Sequence, residues 1–393
     1  MSNEIRVAVI GAGMAGKAHA AAFRSASTLY SPVLPPIKLV SIADMNPEFG
    51  SLAARRFGYE RTDTSWQAIA AADDIDVVSV VIANSLHRQA VEGLLAAGKH
   101  VLCEKPLSDT LEDARAMAEL AANATGIARV GFTFRRTPGI AYIRDLIRNG
   151  VLGNVLHFSG RYWTDYGFDP AAPMSWRYKG GTGSGALADV GSHLTYVSEF
   201  LCGDITAVSG GRLSTVIKKR PLPLGAVMGH DHVAVSDTFE AVENDDYAAF
   251  SADFANGGSG GFEVSRVAAG HANSLIFEVF CANGSARFDQ RRPSEIQLFL
   301  NQGDSAQNGY RQVILGPEHP YLSGGLPMDA PSVGFGQNEA FSYQARAFLE
   351  EVAGVPEADS LPRCATFDEG VRNMEILDAV TASAQANGKL ITL

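Results

Sequence analysis

Residues Ile5–Ile10 form a largely apolar run that leads directly into Gly11-Ala12-Gly13-Met14-Ala15-Gly16 and then into the Ala-rich segment KAHAAAFRSA. No other feature restricts the fold of this chain so tightly. An apolar run of that length reads as a buried strand, the glycines as a tight turn and the Ala-rich segment as a helix. In such a unit one glycine makes the turn, one lets the backbone approach a pyrophosphate, and one lets the helix pack on the strand. The helix N-terminus adds positive potential. Gly11, Gly13, Met14 and Ala15 are therefore the expected dinucleotide contacts.

The pattern repeats. A second strand, Ile37–Ala43, ends at Asp44; a helix follows at 51–57, and 77–83 is a third apolar strand. Residues 87–97 read as a helix, His100–Cys103 as a strand, 111–122 as a helix and 127–132 as a strand. Strands and helices alternating in this way predict an α/β domain with a doubly wound parallel sheet, closing near residue 130. Asp44 is the expected acidic partner of the adenosine ribose and favours NAD over NADP. It lies further from Gly16 than the usual spacing of about twenty residues, which the segment LYSPVLPP accounts for as an insertion. Asn84 and His87 follow the third strand, at the carboxyl edge where such sheets bind ligands, and are read as further cofactor contacts.

Beyond residue 130 the texture changes. One helix at 140–149 precedes strand-like segments that include 155–161, Tyr247–Phe254, 259–267 and Ser274–Cys281, without intervening helices. That predicts an α+β second domain with an antiparallel sheet, spanning 131–393. Residues 303–336 read as extended loop, and helical patterns at 339–352 and 367–386 end the chain.

Composition narrows the function. The 393 residues carry 32 Lys and Arg against 43 Asp and Glu, a net charge of −11, which disfavours generic binding to a phosphate backbone. The 4 cysteines, at 103, 202, 281 and 364, are too far apart to suggest a zinc site or a disulfide framework, so no metal is expected. The N-terminal stretch lacks the pattern of a secretion signal, and no run of about eighteen apolar residues occurs, so the cytoplasm is the expected location and no membrane contact is expected.

Two polar clusters carry chemistry. Glu104-Lys105-Pro106 follows the fourth apolar strand at the carboxyl edge, where Lys105 can reach both a nicotinamide and a substrate hydroxyl. Asp189-Val190-Gly191-Ser192-His193 follows a Gly-rich stretch; if 186–201 is a helix, Asp189 and His193 share one face and can act on one substrate. A satisfied core histidine paired with an aspartate is the alternative.

The combination of GAGMAG, Asp44, CEKP at 103–106 and GALADVGSH at 185–193 resembles the Gfo/Idh/MocA oxidoreductases over nearly the whole chain. The resemblance implies a Rossmann domain followed by a C-terminal domain with a large, mostly antiparallel sheet for substrate binding and for assembly as a homodimer or homotetramer. It also implies that Lys105, Asp189 and His193 are the catalytic lysine, aspartate and histidine. FRRTP at 134–138, SWR at 175–177 and GPEHPY at 316–321 look like the levoglucosan and scyllo-inositol dehydrogenase branch. The chain departs from the family at Ile82-Ala83 and Tyr196, and Thr164 differs from the amide of that branch.

These readings together predict an NAD-dependent dehydrogenase that oxidises a secondary ring hydroxyl of a small cyclic polyol or sugar. His193 is the candidate base and Lys105 the ammonium beside the developing alkoxide, with Lys105 as alternative proton acceptor if its pKa falls. Asp189 would bind the substrate and fix His193. Arg135, Tyr162, Thr164 and Asp165 are candidate substrate contacts, while Trp176 and Arg177 offer an aromatic face and cofactor contacts, and Glu104 a further cofactor contact. An NAD-dependent glycosidase and a non-catalytic dinucleotide-sensing regulator are the other functions compatible with this fold.

Overall fold

The computed structural model describes residues 4–31, 33–227, 233–301 and 305–393; Gly303, at the start of the expected loop, lies outside them. The chain runs β1 (Ile5–Ile10), α1 (Met14–Ala26), β2 (Ile37–Ala43), α2 (Pro47–Phe57), β3 (Arg61–Asp63), α3 (Trp66–Ala71), β4 (Val77–Val80), α4 (His87–Ala96), β5 (His100–Cys103), α5 (Leu111–Asn123) and β6 (Ala128–Val130). It continues with α6 (Pro138–Arg148), β7 (Val155–Trp163), α7 (Ser192–Cys202), β8 (Ile205–Ser214), β9 (Lys219–Pro223), β10 (Val235–Ala241), β11 (Tyr247–Phe254), β12 (Ser259–Ser265) and β13 (Ser274–Cys281). Last come β14 (Gly284–Asp289), β15 (Glu295–Leu300), β16 (Arg311–Ile314), α8 (Gln337–Val352), α9 (Phe367–Gln385) and β17 (Ile391–Thr392).

The first six strands form a parallel sheet in the order β3-β2-β1-β4-β5-β6. Val7, Val9, Val77, Val78 and Val80 are wholly buried, as expected of strands covered by helices on both faces. Asn46 accepts from the N–H groups of Glu48 and Phe49, and Thr110 from that of Asp113, so side chains cap α2 and α5 at about 1 kcal/mol each. The order reverses between β1 and β4, the topological position where open α/β sheets hold their ligands at the carboxyl ends.

A 9-stranded sheet in the order β16-β15-β14-β13-β7-β12-β11-β8-β17 follows, with β9 and β10 as a separate ribbon. It is mostly antiparallel, the pairing of β7 with β12 being parallel. Along β11, Ala248, Phe250, Ala252 and Phe254 are buried while Ser251 and Asp253 are exposed, the period-two pattern of a sheet with one packed face. Phe250 stacks on Phe262 with ring centroids 4.6 Å apart, and Phe158 lies 5.3 Å from Phe262, which centres this core on β7, β11 and β12.

The compact unit around the parallel sheet comprises Met1–Arg136, Tyr321–Ala330 and Phe335–Met374; the other comprises Thr137–Pro320, Pro331–Gly334 and Glu375–Leu393. This differs from a single cut at residue 130, because α8 belongs to the first unit. Ala345, Phe348 and Leu349 of α8 pack into one buried cluster with Phe23 and Ala26 of α1. The wholly buried Arg346 donates to Ala26 O and Leu29 O at the end of α1, where a cation complements the helix dipole. Val130 also bridges Ala365, extending the β6 edge.

Three further expectations are corrected. The third apolar strand ends at Val80 rather than 83, because the next residues leave the sheet to back the glycine turn. The stretch read as loop from 303 contains β16, paired with β15. The helix expected over 186–201 begins instead with a π-helical turn, Leu187–Gly191, in which the Ser192 N–H donates to Leu187 O, before α7 starts. Among the described residues no helix is long and apolar enough to cross a membrane.

Candidate active site

In the first unit the glycine turn is built by close approach. Gly11 has φ +106, a left-handed conformation, and a Cβ there would lie 2.0 Å from Val81 O. A Cβ on Gly16 would lie 1.8 Å from Gly11 O, so only glycine lets α1 start against the turn. Gly13 contrasts with both: its Cβ direction meets nothing within 4 Å. It is also the N-cap of α1, with no side chain capping the helix, and Met14 beside it is 62% exposed. Open backbone at an uncapped helix N-terminus suits a pyrophosphate. Asp44 immediately follows β2 and accepts from Ala12 N and Asn46 N, both at 2.8 Å. Its carboxylate thus ties the glycine turn to the end of β2, a role its sequence position alone does not reveal. The turn and Asp44 together fit a dinucleotide.

Asn84 is half-buried on a short helical turn after β4. His87 departs from the expected cofactor contact: it is wholly buried, with Nδ1 3.2 Å from Leu107 O and Nε2 3.1 Å from Ile82 O. Burial lowers its pKa against the pull of those carbonyls, and it braces two loops. Glu104 also turns inward. Its Oε1 lies 2.8 Å from His19 Nε2, His19 Nδ1 lies 2.6 Å from Ser79 Oγ, and Glu104 Oε2 accepts from Lys105 N at 3.2 Å. A buried polar chain therefore anchors the root of the half-buried Lys105. Arg135, on the turn after β6, pairs with Glu369 at 3.3 Å.

In the second unit Asp189 sits within the π-helical turn and His193 at the start of α7. The Tyr166 hydroxyl donates to Asp189 Oδ2 at 2.8 Å, and Arg177 Nη1 lies 3.6 Å from the same oxygen. The Tyr162 ring is 5.9 Å from that of His193, and its hydroxyl is held well above its ordinary pKa by burial and then by Asp189. Tyr162 thus lies near both predicted groups, with its hydroxyl donating to Asn273 Oδ1 at 2.7 Å. Arg177 stacks on the half-exposed Trp176 at 4.7 Å, and its Nε finds no partner among the described residues. Thr164 is buried, its Oγ1 3.3 Å from Ser265 O. Asp165 is half-buried and its carbonyl accepts from Phe168 N.

The supports of this cluster escaped the sequence reading. Asp245 is buried and accepts from Gly183 N and Gly185 N at 3.1 Å and from Leu187 N at 2.8 Å, so one carboxylate organises the entry to the π-helical turn. Burial pushes its pKa up against those hydrogen bonds. The wholly buried Arg266 donates to Asp246 at 2.8 Å, to Asn244 Oδ1 at 2.7 Å and to the Arg177 carbonyl at 2.8 Å. Arg266 and Arg220 both lie against the Tyr178 ring, at 4.6 and 4.0 Å. Glu243-Asn244-Asp245-Asp246 is a polar, mostly acidic stretch, and nothing in its pattern signals burial.

A parallel sheet bearing a dinucleotide turn, and a second unit bearing an Asp–Tyr–Arg cluster beside a histidine, define the chain as a dinucleotide-dependent oxidoreductase. The profile described as "Oxidoreductase family, NAD-binding Rossmann fold" matches residues 5–132, and that described as "GFO/IDH/MocA C-terminal domain" matches residues 140–287. The chain belongs to the Gfo/Idh/MocA oxidoreductase family. It is 35% identical to levoglucosan dehydrogenase of Pseudarthrobacter phenanthrenivorans, over 97% of this chain and 96% of that protein. It is 26% identical to scyllo-inositol 2-dehydrogenase (NAD(+)) of Bacillus subtilis, over 78% of this chain and 80% of that protein. A levoglucosan dehydrogenase structure in complex with NADH and levoglucosan superposes with a TM-score of 0.88 at 33% identity, covering 99% of each chain.

Proposed function

We propose that this protein is an NAD-dependent dehydrogenase that oxidises one secondary ring hydroxyl of a cyclic polyol or pyranose, in the inositol, levoglucosan and hexose class, to a ketone. The observation that carries the reading is the Asp189 carboxylate, held by Tyr166 and Arg177 beside His193, in a chain whose other unit bears an open dinucleotide turn. When bound at that turn, NAD⁺ supplies the hydride acceptor that oxidation of a carbinol requires. Gly11, Gly13, Met14, Ala15 and Asp44 would hold it.

His193 takes the hydroxyl proton as general base, the role that an imidazole fills most often in such reactions. The Lys105 ammonium stabilises the negative charge that develops on the substrate oxygen. Asp189 accepts a hydrogen bond from the substrate and keeps His193 in register. Tyr162, Trp176 and Arg177 contribute an aromatic face and a guanidinium of the kind that selects ring hydroxyls. The inward-turned Glu104 anchors the root of Lys105, and His87 braces the loops at Ile82 and Leu107. We further infer a homodimer or homotetramer in the cytoplasm, with a small sugar or polyol as its partner molecule.

The test is a panel of inositols, anhydrosugars and free hexoses, each assayed with NAD⁺ and with NADP⁺. Reduced cofactor should form with at least one cyclic substrate, with NAD⁺ preferred by about tenfold or more because Asp44 repels a 2′-phosphate. Binding without turnover for every compound would mark a regulator. Release of free sugar from a glycoside without net NADH would mark a glycosidase, and preference for NADP⁺ would overturn the role of Asp44.

A further inference from the structure

We propose that Tyr166 is a positioning residue for Asp189, fixing its carboxylate as a hydrogen-bond acceptor for the substrate, with Arg177 as the electrostatic partner. The inference rests on the assignment of Asp189 to the reaction. Tyr166 donates to Asp189 Oδ2 at 2.8 Å while Arg177 Nη1 stands 3.6 Å from the same atom. A donor and a cation on one oxygen favour the ionised carboxylate over the acid and hold it in one rotamer.

Both neighbours are held from behind by the same buried group. The segment carrying Tyr166 is pinned on each side of it: Thr164 N donates to Ser265 O and Gly167 N to Arg266 O, each at 2.8 Å. Arg220 Nη2 donates to Gly167 O at 2.5 Å. The Arg177 carbonyl accepts from Arg266 Nη1 at 2.8 Å and from Asn244 Nδ2 at 3.0 Å. Arg266, locked on Asp246, therefore braces the segments that carry Tyr166 and Arg177, whose side chains meet on one oxygen of Asp189. Such a frame exceeds what a solvated aspartate at a helix start needs.

The ionisable groups that face Asp189 include Tyr166 and Arg177, and Tyr162 on β7, with Arg266 after β12 behind Tyr166. Burial and Asp189 together keep the Tyr166 hydroxyl far above its ordinary pKa, so it stays a donor throughout the working pH range. Removing that donor makes the carboxylate harder to ionise, and Asp189 must then titrate at higher pH.

The experiment uses Tyr166→Phe and Asp189→Asn in the full-length enzyme. Carboxyl ¹³C NMR reads the Asp189 signal, assigned by its loss in Asp189→Asn, alongside steady-state kinetics with the best substrate of the panel. In Tyr166→Phe the Asp189 midpoint should rise by about one pH unit, and kcat/KM should fall about tenfold, mainly through KM, with NADH affinity unchanged. An unmoved midpoint and unmoved kinetics in Tyr166→Phe, with turnover lost in Asp189→Asn, would overturn the proposal. Wild-type turnover in Asp189→Asn would instead overturn the underlying assignment of Asp189. Thermal unfolding reports the fold of each variant. Should Tyr166→Phe not fold, Arg177→Gln carries the same test: the midpoint rises if the frame fixes the carboxylate, and stays put if it does not.

Discussion

The turn from Gly11 to Gly16 and the π-helical turn Leu187–Gly191 each lead into a helix, but the first is held by the absence of side chains and the second by buried acidic and basic ones. At the glycine turn, backbone atoms of Gly11, Val81 and Gly16 approach so closely that a methyl group has no place. At the π-helical turn, the Asp245 carboxylate gathers N–H groups from Gly183, Gly185 and Leu187, and Arg266 ties the neighbouring loops through Asp246 and the Arg177 carbonyl. Steric exclusion suits a surface that must come near a phosphate. Buried charge suits a surface that must aim side chains at a small polyol, because each hydrogen bond fixes direction as well as distance.

The comparison breaks most readily at its glycine end. Gly16→Ala should destabilise the first unit by more than about 3 kcal/mol and abolish NADH binding, since the added methyl would meet Gly11 O at 1.8 Å. Denaturant unfolding and NADH fluorescence titration read the two effects; a loss below about 1 kcal/mol would show that the turn yields after all. At the other end the response should be smaller and graded. Asp245→Ala leaves buried N–H groups without an acceptor and should cost about 2–3 kcal/mol, with kcat/KM for the sugar falling further than NADH affinity. Asp245→Asn keeps one acceptor oxygen but turns an amide NH₂ towards N–H donors that the other oxygen received, so it should recover only part of the loss. A loss below about 1 kcal/mol in Asp245→Ala would mean that the carboxylate is not what organises the π-helical turn. Tyr166→Phe, removing one hydrogen bond from the same region, is the mildest of the set, at about tenfold in kcat/KM.

The same contrast explains what could be read from the sequence. Steric exclusion is written locally: the spacing of Gly11, Gly13 and Gly16 after an apolar run specifies the turn, and β1, β2 and β5 fall where the pattern puts them. Buried charge is written non-locally. Asp245 lies 58 residues from Leu187 in sequence, and Arg266 89 from Arg177, so no window that contains one contains the other. Tyr166 adjoins Asp165 in sequence, yet only the fold shows which of the two faces Asp189. The π-helical turn is not legible in the sequence because Ala186 to Gly191 has ordinary helical composition, and the Asp245 carboxylate that receives the N–H groups at its entry is remote in the chain. His87 and Glu104 were read as ligand contacts from their place at the sheet's carboxyl edge. Edge position locates a loop, not the direction of its side chains, and both turn inward.

The proposed reaction turns on whether an ammonium at position 105 and an imidazole at position 193 serve one oxidation. The direct measurement is steady-state NADH formation by Lys105→Ala and His193→Ala with a cyclic polyol or pyranose that the wild type turns over, paired with NADH affinity. Both variants should lose at least about a hundredfold in turnover while binding the dinucleotide normally. Near-normal turnover in the two variants would contradict it.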